Sequence, residues 1–260
     1  MNFCVVFLFL LKINYMHNYK IIIEYDGTNF VGWQRQDNGP SIQQSLEEAI
    51  QKLSNEQVSV FGAGRTDSGV HAKGQVAHFV TSNEIELDTI RDGLNQHLRN
   101  FSIAILKAER VKEDFHARFS AIHRHYQYLL INRRPPLTFK KKYAWSVYKE
   151  LEIDKMKIAA NYFIGKYDFN SFRSIDCQSS SSIKTINSCK VDQTNEEIII
   201  DVSAKSFLHS QVRIMVGTLV EVGKGKIRPD DIKKILESKD RAQAGPTAPA
   251  HGLYLIKVEY

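Results

Sequence analysis

The feature that most restricts this chain's fold is an order of apolar patterns that runs through the sequence twice. Lys20 to Tyr25 (KIIIEY) is a β-branched run stopped by Asp26-Gly27, and it reads as a buried strand. Pro40-Ser41 opens a helix, with Ser41 as N-cap, Gln44 completing a capping box, and Ile42, Leu46, Ala49, Ile50 and Leu53 on one face. Val58 to Phe61 and Gln75 to Thr81 are short strands joined by a glycine-rich loop. Asp88 is expected to cap a helix carrying Ile90, Leu94 and Leu98 at a spacing of four, and Ser102 to Val111 is the closing strand. The order is β-α-β-β-α-β, the split βαβ or ferredoxin-like arrangement.

The second half repeats that order with insertions. His123 to Ile131 reads as a strand, followed by the Pro135-Pro136 loop and an extra strand over Tyr143 to Tyr148. Asp154 starts a helix with Met156, Ala160 and Phe163 inward, for which Gly165 supplies the C′ residue. Strands at Ile183 to Asp192 and Glu197 to Ala204 turn at Thr194-Asn195, and a helix at His209 to Val222 follows. Pro229 opens a short helix and Leu253 to Glu259 is the last strand. Arg173 to Ser182 reads as a flexible polar loop. The expected fold class is therefore α+β: two βαββαβ (ferredoxin-like) domains, 16–115 and 116–260, related as an internal duplication. Their sheets should be mainly antiparallel and could run on across the middle. A length of 260 residues accommodates two such units without disulfides or metal to hold the core.

Met1 to Leu11 is almost wholly apolar but too short to span a bilayer, which takes ~20 residues. Lys12 follows the run rather than preceding it, so it does not resemble a signal peptide. Residues 1–15 are expected to be a non-native or disordered extension, with Met16 as the alternative start. The three cysteines, Cys4, Cys177 and Cys189, are too far apart for a CxxC metal site. Their odd number fits a reducing, cytoplasmic setting.

Lys and Arg exceed Asp and Glu by 35 to 29, a formal charge of +6, and the excess is unevenly placed. Phe115 to Lys149 contains no acid at all, yet carries Arg118, Arg124, Arg133, Arg134, Lys140, Lys141, Lys142 and Lys149 among aromatics including Phe119, Tyr126 and Tyr128. Cations and ring faces in alternation suit a nucleic-acid groove; a solvated basic face over core aromatics would give the same pattern.

The sharpest chemical signal is the loop Phe61 to Gly74, FGAGRTDSGVHAKG. A dinucleotide fingerprint would place a glycine at Asp67 and a helix after it, whereas Val76 to Val80 reads as a strand; no G-K-[ST] follows either. What remains is a glycine-supported turn presenting Arg65, Thr66, Asp67 and Ser68. Charged groups on a loop held by a rigid scaffold are candidates for function.

Gly64 to Phe79 resembles the catalytic segment of the TruA family of tRNA pseudouridine synthases. Four further segments match in order: EYDGTNFVGWQRQ (Glu24 to Gln36), DFHARFSAIHRHYQY (Asp114 to Tyr128), FLHSQVRIMVG (Phe207 to Gly217) and APAHGLYL (Ala248 to Leu255). The resemblance implies a cytoplasmic homodimer of two-domain subunits that isomerises uridines 38, 39 and 40 of the tRNA anticodon stem-loop. It implies no cofactor, no metal and no membrane partner. It makes Asp67 the nucleophile, a carboxylate being ionised at neutral pH without a partner base. Tyr126 becomes a catalytic and substrate-binding residue, stacking on the extruded uracil with its hydroxyl available for the C5 proton. Arg213 becomes the partner that keeps the carboxylate ionised. Arg65 takes the space of the flipped base, and Leu253 and Tyr254 wall the pocket. Ser68 stands where alanine is frequent in the family.

Two other functions compete. A non-catalytic RNA-binding protein could use the same fold and basic stretch, although Asp67 would then face phosphates to no purpose. A glycosidic hydrolase would need a second carboxylate, and no motif marks one near Asp67.

Overall fold

The computed structural model describes residues 16–260. The expected extension over 1–15, and the choice between Met1 and Met16 as start, lie outside the described residues. In the first half, strand β1 is His17–Tyr25, helix α1 Ile42–Ser54, β2 Phe61–Gly62, β3 His71–Thr81, α2 Leu87–Leu98 and β4 Ile103–Val111. The second half contains β5 His123–Asn132, β6 Trp145–Val147, α3 Ile153–Asn161, β7 Gly165–Asp168, β8 Ile183–Thr194, β9 Glu197–Ala204, α4 Gln211–Gly223, α5 Asp231–Ser238 and β10 Leu253–Glu259.

Period-two burial makes the strands. Tyr19, Ile21, Ile23 and Tyr25 alternate inward along β1, and Tyr126, Tyr128 and Leu130 do the same along β5. The helices that cover these inward faces follow the apolar spacing read from the sequence: Leu46 and Ile50 of α1, and Ile90, Leu94 and Leu98 of α2, are fully buried. Helix α2 packs on α1 and β4, and α3 on β8 and α4. Ser41 caps α1, its Oγ accepting the Gln44 N–H at 3.2 Å.

The expected pair of sheets is a single open sheet of ten strands, in the order β4-β1-β3-β10-β5-β9-β8-β7, with β2 on β3 and β6 on β5. It is mostly antiparallel; the exceptions are β5–β6 and the central join of β10 to β3. That join consists of two residue pairs, Tyr254 with His71 and Leu255 with Ala72. The described residues are thus mixed α/β, with five α-helices against one continuous sheet.

Several boundaries move for local reasons. The capping box at α1 is half made, because the Gln44 amide turns to Glu48 instead of the Ser41 backbone. Asp88 lies in the first turn of α2, whose N-cap is Glu86 without a side-chain bond. The Val58–Phe61 strand shrinks to Phe61–Gly62, while β3 begins at His71 and takes in the tail of the glycine loop. Gly165 does not close α3, which stops at Asn161; with φ of 125° it opens β7, a strand the pattern did not announce.

Candidate active site

The turn bearing Asp67 is held from below by the segment Glu24 to Gln36. Gly27 lies so close that a Cβ there would come within 2.0 Å of the Val70 carbonyl oxygen, so no other residue allows the two backbones to meet. The Trp33 N–H donates to the Thr66 carbonyl at 3.0 Å, and the Tyr25 hydroxyl shares a hydrogen bond with Thr66 Oγ1 at 2.8 Å. Ser68 donates from Oγ to the Phe30 carbonyl at 3.0 Å, a tie that alanine would lack. The turn is therefore a rigid platform, fastened on both sides of Asp67.

Arg213 reaches that carboxylate from α4, 146 residues along the chain. Its Nη1 donates to Asp67 Oδ2 at 2.7 Å and its Nε to the Ala248 carbonyl at 2.8 Å. The Ala248 carbonyl can come that close because Gly217 leaves room: a Cβ on Gly217 would sit 1.7 Å from the Pro246 carbonyl oxygen, which packs on the helix. The two bonds fix the guanidinium plane, and the plane fixes the carboxylate.

Ser210 adds a second donor to Oδ2, at 2.9 Å, and His209 Nε2 lies 3.3 Å from Oδ1. Ser210 enters α4 in the left-handed conformation, with φ of 59°, a state that costs a non-glycine residue roughly 1–2 kcal/mol. The strain accompanies a hydroxyl held against the carboxylate. Sequence reasoning missed both His209 and Ser210. The available signal was their spacing: Ser210 precedes Arg213 by three residues, so both meet one face of the helix start. Asp67 and Arg213 keep 20% and 18% of their side-chain surface exposed, enough for a ligand to touch the carboxylate and too little for water to flood it.

Tyr126 on β5 closes another side. Its ring stands edge-on to Phe207 at 5.3 Å, and it is 9% exposed. Burial first, then the neighbouring Tyr25 and Asp67, push its hydroxyl well above the ordinary tyrosine range, so it remains protonated. Tyr25 rises to about 12, chiefly through burial and against the hydrogen bond from Thr66.

The remaining expected site residues divide. Arg65 is exposed and donates to Gln178 of the polar loop at 3.3 Å. Leu253 is buried in β10 opposite Tyr128, while Leu255 is the residue opposite Tyr126. Tyr254 instead stacks on His71, with centroids 4.9 Å apart.

The acid-free stretch is not one surface. Arg124 is 7% exposed and donates only to backbone carbonyls: Ala63 through Nε and Nη2, Arg118 at 2.7 Å, and Lys205. It is a structural pin, contrary to its expected place among phosphate-facing cations, because β5 turns it to the same inward face as Tyr126. Tyr128 is core as well, fully buried, with its hydroxyl on the Pro249 carbonyl. Arg133 pairs with Glu196 and Lys140 with Glu197. Lys141 and Lys142 are exposed and form no ion pair among the described residues. Among those residues, too, no cluster of three or more His, Cys, Asp or Glu is placed to hold a metal ion, and no helix is long and apolar enough to cross a membrane.

A carboxylate clamped by an arginine and a hydroxyl, beside a buried neutral tyrosine, forms a polar pocket that a ligand can reach. The family model described as tRNA pseudouridine synthase matches residues 21–120 and 159–260. The chain is 50% identical to a Maricaulis maris protein named tRNA pseudouridine synthase A over 245 residues, 94% of this chain and 98% of that one. It is 53% identical to a protein of the same name from Anaplasma phagocytophilum over 244 residues, 93% and 99% of the two chains. A Parvibaculum lavamentivorans protein of that name is 50% identical over 245 residues, 94% and 100%. The chain belongs to the tRNA pseudouridine synthase family. Asp67 and Arg213 lie within the matched stretches, and Tyr126 falls between them.

Proposed function

We propose that this protein is a tRNA pseudouridine synthase, an isomerase that converts uridine to pseudouridine at positions 38, 39 and 40 of the anticodon stem-loop. The observation that carries the catalytic reading over a mere RNA binder is the Asp67–Arg213 pair at 2.7 Å, reinforced by Ser210. A protein that only binds RNA gains nothing from a carboxylate so held.

In this reading the uridine leaves the helical stack, its base enters beside Tyr126, and Asp67 is the nucleophile. The N1–C1′ bond breaks, the uracil turns, C5 bonds to C1′, and the C5 proton passes to N1. Arg213 and Ser210 fix Oδ2, which leaves Oδ1 as the oxygen with fewer donors and so the attacking one. Tyr126 supplies a ring for the uracil and a neutral hydroxyl for the proton transfer. Arg65 fills the space of the extruded base, and Leu253 belongs to the pocket wall. His209, 3.3 Å from Oδ1, is close enough to meet the substrate.

The two halves read as a duplication, with domains 16–115 and 116–260. The support is the common strand order: β4-β1-β3 with β2 against β3 in the first half, and β10-β5-β9-β8 in the second. A cytoplasmic homodimer completes the proposal, and light scattering of the purified protein would test the dimer. The activity is tested by mapping pseudouridine in tRNA from cells with and without the protein. Loss confined to positions 38–40 in the deletion strain is expected; an unchanged map would refute it.

A further inference from the structure

The segment between β5 and β6 is fastened where it passes the Asp67 turn. The His71 ring donates from Nε2 to the Lys142 carbonyl at 3.1 Å, since a carbonyl can only accept. Tyr143 donates its hydroxyl to Asp26 Oδ2 at 2.8 Å, and Tyr254 donates to the Tyr143 carbonyl at 2.6 Å. Lys140, just before, is tied to Glu197. Two residues remain between these anchors, Lys141 and Lys142. Their exposed side chains border a notch of about 240 Å³, together with Thr28, Gly69, Ala250 and His251.

The position is informative. Gly69 is two residues from Asp67, so their Cα atoms lie at most ~7 Å apart. Ala250 is two residues from Ala248, whose carbonyl orients Arg213. The notch is thus the rim of the same site, bordered by Lys141, Lys142 and His251 and by Thr28, whose N–H and hydroxyl are both given to the Asp26 carboxylate. Anchoring of this kind is needless for lysines that merely solvate a face. Arg133 and Lys140 of the stretch are consumed in ion pairs; Arg118, Arg134, Lys141, Lys142 and Lys149 form none among the described residues, and of these only Lys141 and Lys142 border the notch. They also fall in residues 121–158, between the stretches that the family model matches.

We propose that Lys141 and Lys142, with the Gly69 backbone, form a subsite for one phosphodiester of the RNA strand next to the reacting uridine. His71 is its positioning residue, acting through the Lys142 carbonyl. The inference rests on the tRNA synthase reading and names a contact for it. Phosphate contacts set register on the strand and carry no sequence information, so the subsite would act on affinity and placement rather than on chemistry.

The test compares K141Q/K142Q with R133Q/K140Q, which removes two ion-paired cations of the same stretch. Initial rates on an unmodified tRNA transcript and filter binding of that transcript are both measured from low to moderate salt. For K141Q/K142Q, KM and Kd should rise about 5–20-fold, kcat should stay within twofold, and the salt slope of log affinity should flatten by roughly 1–2. R133Q/K140Q should move affinity by less than about threefold, and K141R/K142R should restore it. Unchanged KM, Kd and salt slope in a K141Q/K142Q protein with native circular dichroism would overturn the subsite. If the wild type bound tRNA but made no pseudouridine, the synthase reading would fail instead, and the binding comparison would still decide the subsite.

Discussion

Two arginines of the second half, Arg213 on α4 and Arg124 on β5, are both largely withdrawn from water, yet they do opposite work. Arg213 gives one nitrogen to a carboxylate and one to a carbonyl, and stays 18% exposed at the edge of a cleft. Arg124 gives all its bonds to the carbonyls of Ala63, Arg118 and Lys205. Burial holds its pKa below the usual arginine range, with the nearby Tyr126 and Tyr260 working the other way. A cation surrounded by neutral dipoles can only hold pieces together: Arg124 ties the start of the Asp67 loop to the second half. A cation facing a carboxylate at an open rim orients a group that a ligand can reach. The partner, more than the depth of burial, separates staple from tool.

The comparison can be broken most severely at the carboxylate. Asp67→Asn should lower pseudouridine formation on the order of 10⁴-fold or more while leaving tRNA affinity within a few-fold, as seen in single-turnover assays and filter binding. Retained turnover would remove Asp67 from the chemistry. Arg213→Lys keeps the charge but cannot serve Asp67 and Ala248 together, so kcat should drop about 10²-fold with little loss of stability. Equal activity in the lysine variant would show that charge alone suffices.

Arg124→Met inverts the pattern. It strands three carbonyls and should cost about 2–4 kcal/mol of folding free energy in urea titrations, with kcat nearly intact at temperatures where the protein stays folded. A selective loss of kcat without destabilisation would move Arg124 to the catalytic side. Tyr126→Phe keeps the ring against Phe207 and loses the hydroxyl, so kcat should fall about tenfold or more at unchanged stability. Wild-type rates would reduce Tyr126 to a stacking surface.

The smallest effect is a pH dependence on the staple side. Burial, then the nearby His116, depress the His78 pKa to about 4, below the ~6.5 of an unfolded histidine. The unfolded chain therefore takes up this proton first. Stability from the neutral ring is complete above pH ~6.5 and declines as pH falls toward 4, by about 1–3 kcal/mol. His78→Gln should flatten that decline in stability curves taken between pH 7 and 4; an unaltered slope would assign it to the carboxylates.

Local patterns made much of the molecule legible beforehand. β-branched runs marked β1 and β9, apolar spacing found α1 and α2, and Ser41 announced its cap. The glycine-rich loop marked Asp67 before any resemblance was drawn, and the resemblance then gave it a role and singled out Tyr126 and Arg213; spacing alone would have left Tyr126 beside Tyr128, which is pure core. His209 and Ser210 stayed hidden because a histidine and a serine before a helix have many ordinary uses. The acid-free stretch was legible as charge but not as surface: composition cannot tell the inward Arg124 from the outward Lys141, since that depends on strand phase and on which acids arrive from elsewhere.

The sequence by itself determined most of the elements and their order, β7 excepted, because propensity, capping and periodicity act over a few residues. Tertiary structure alone decided that two halves share one sheet through two residue pairs at β3 and β10. It also decided that a carboxylate and a guanidinium 146 residues apart meet at 2.7 Å, and that Lys142 is pinned by a histidine 71 residues away. Contacts at such separations follow from how faces pack and how closely backbones approach at Gly27 and Gly217. No short window of sequence contains that information.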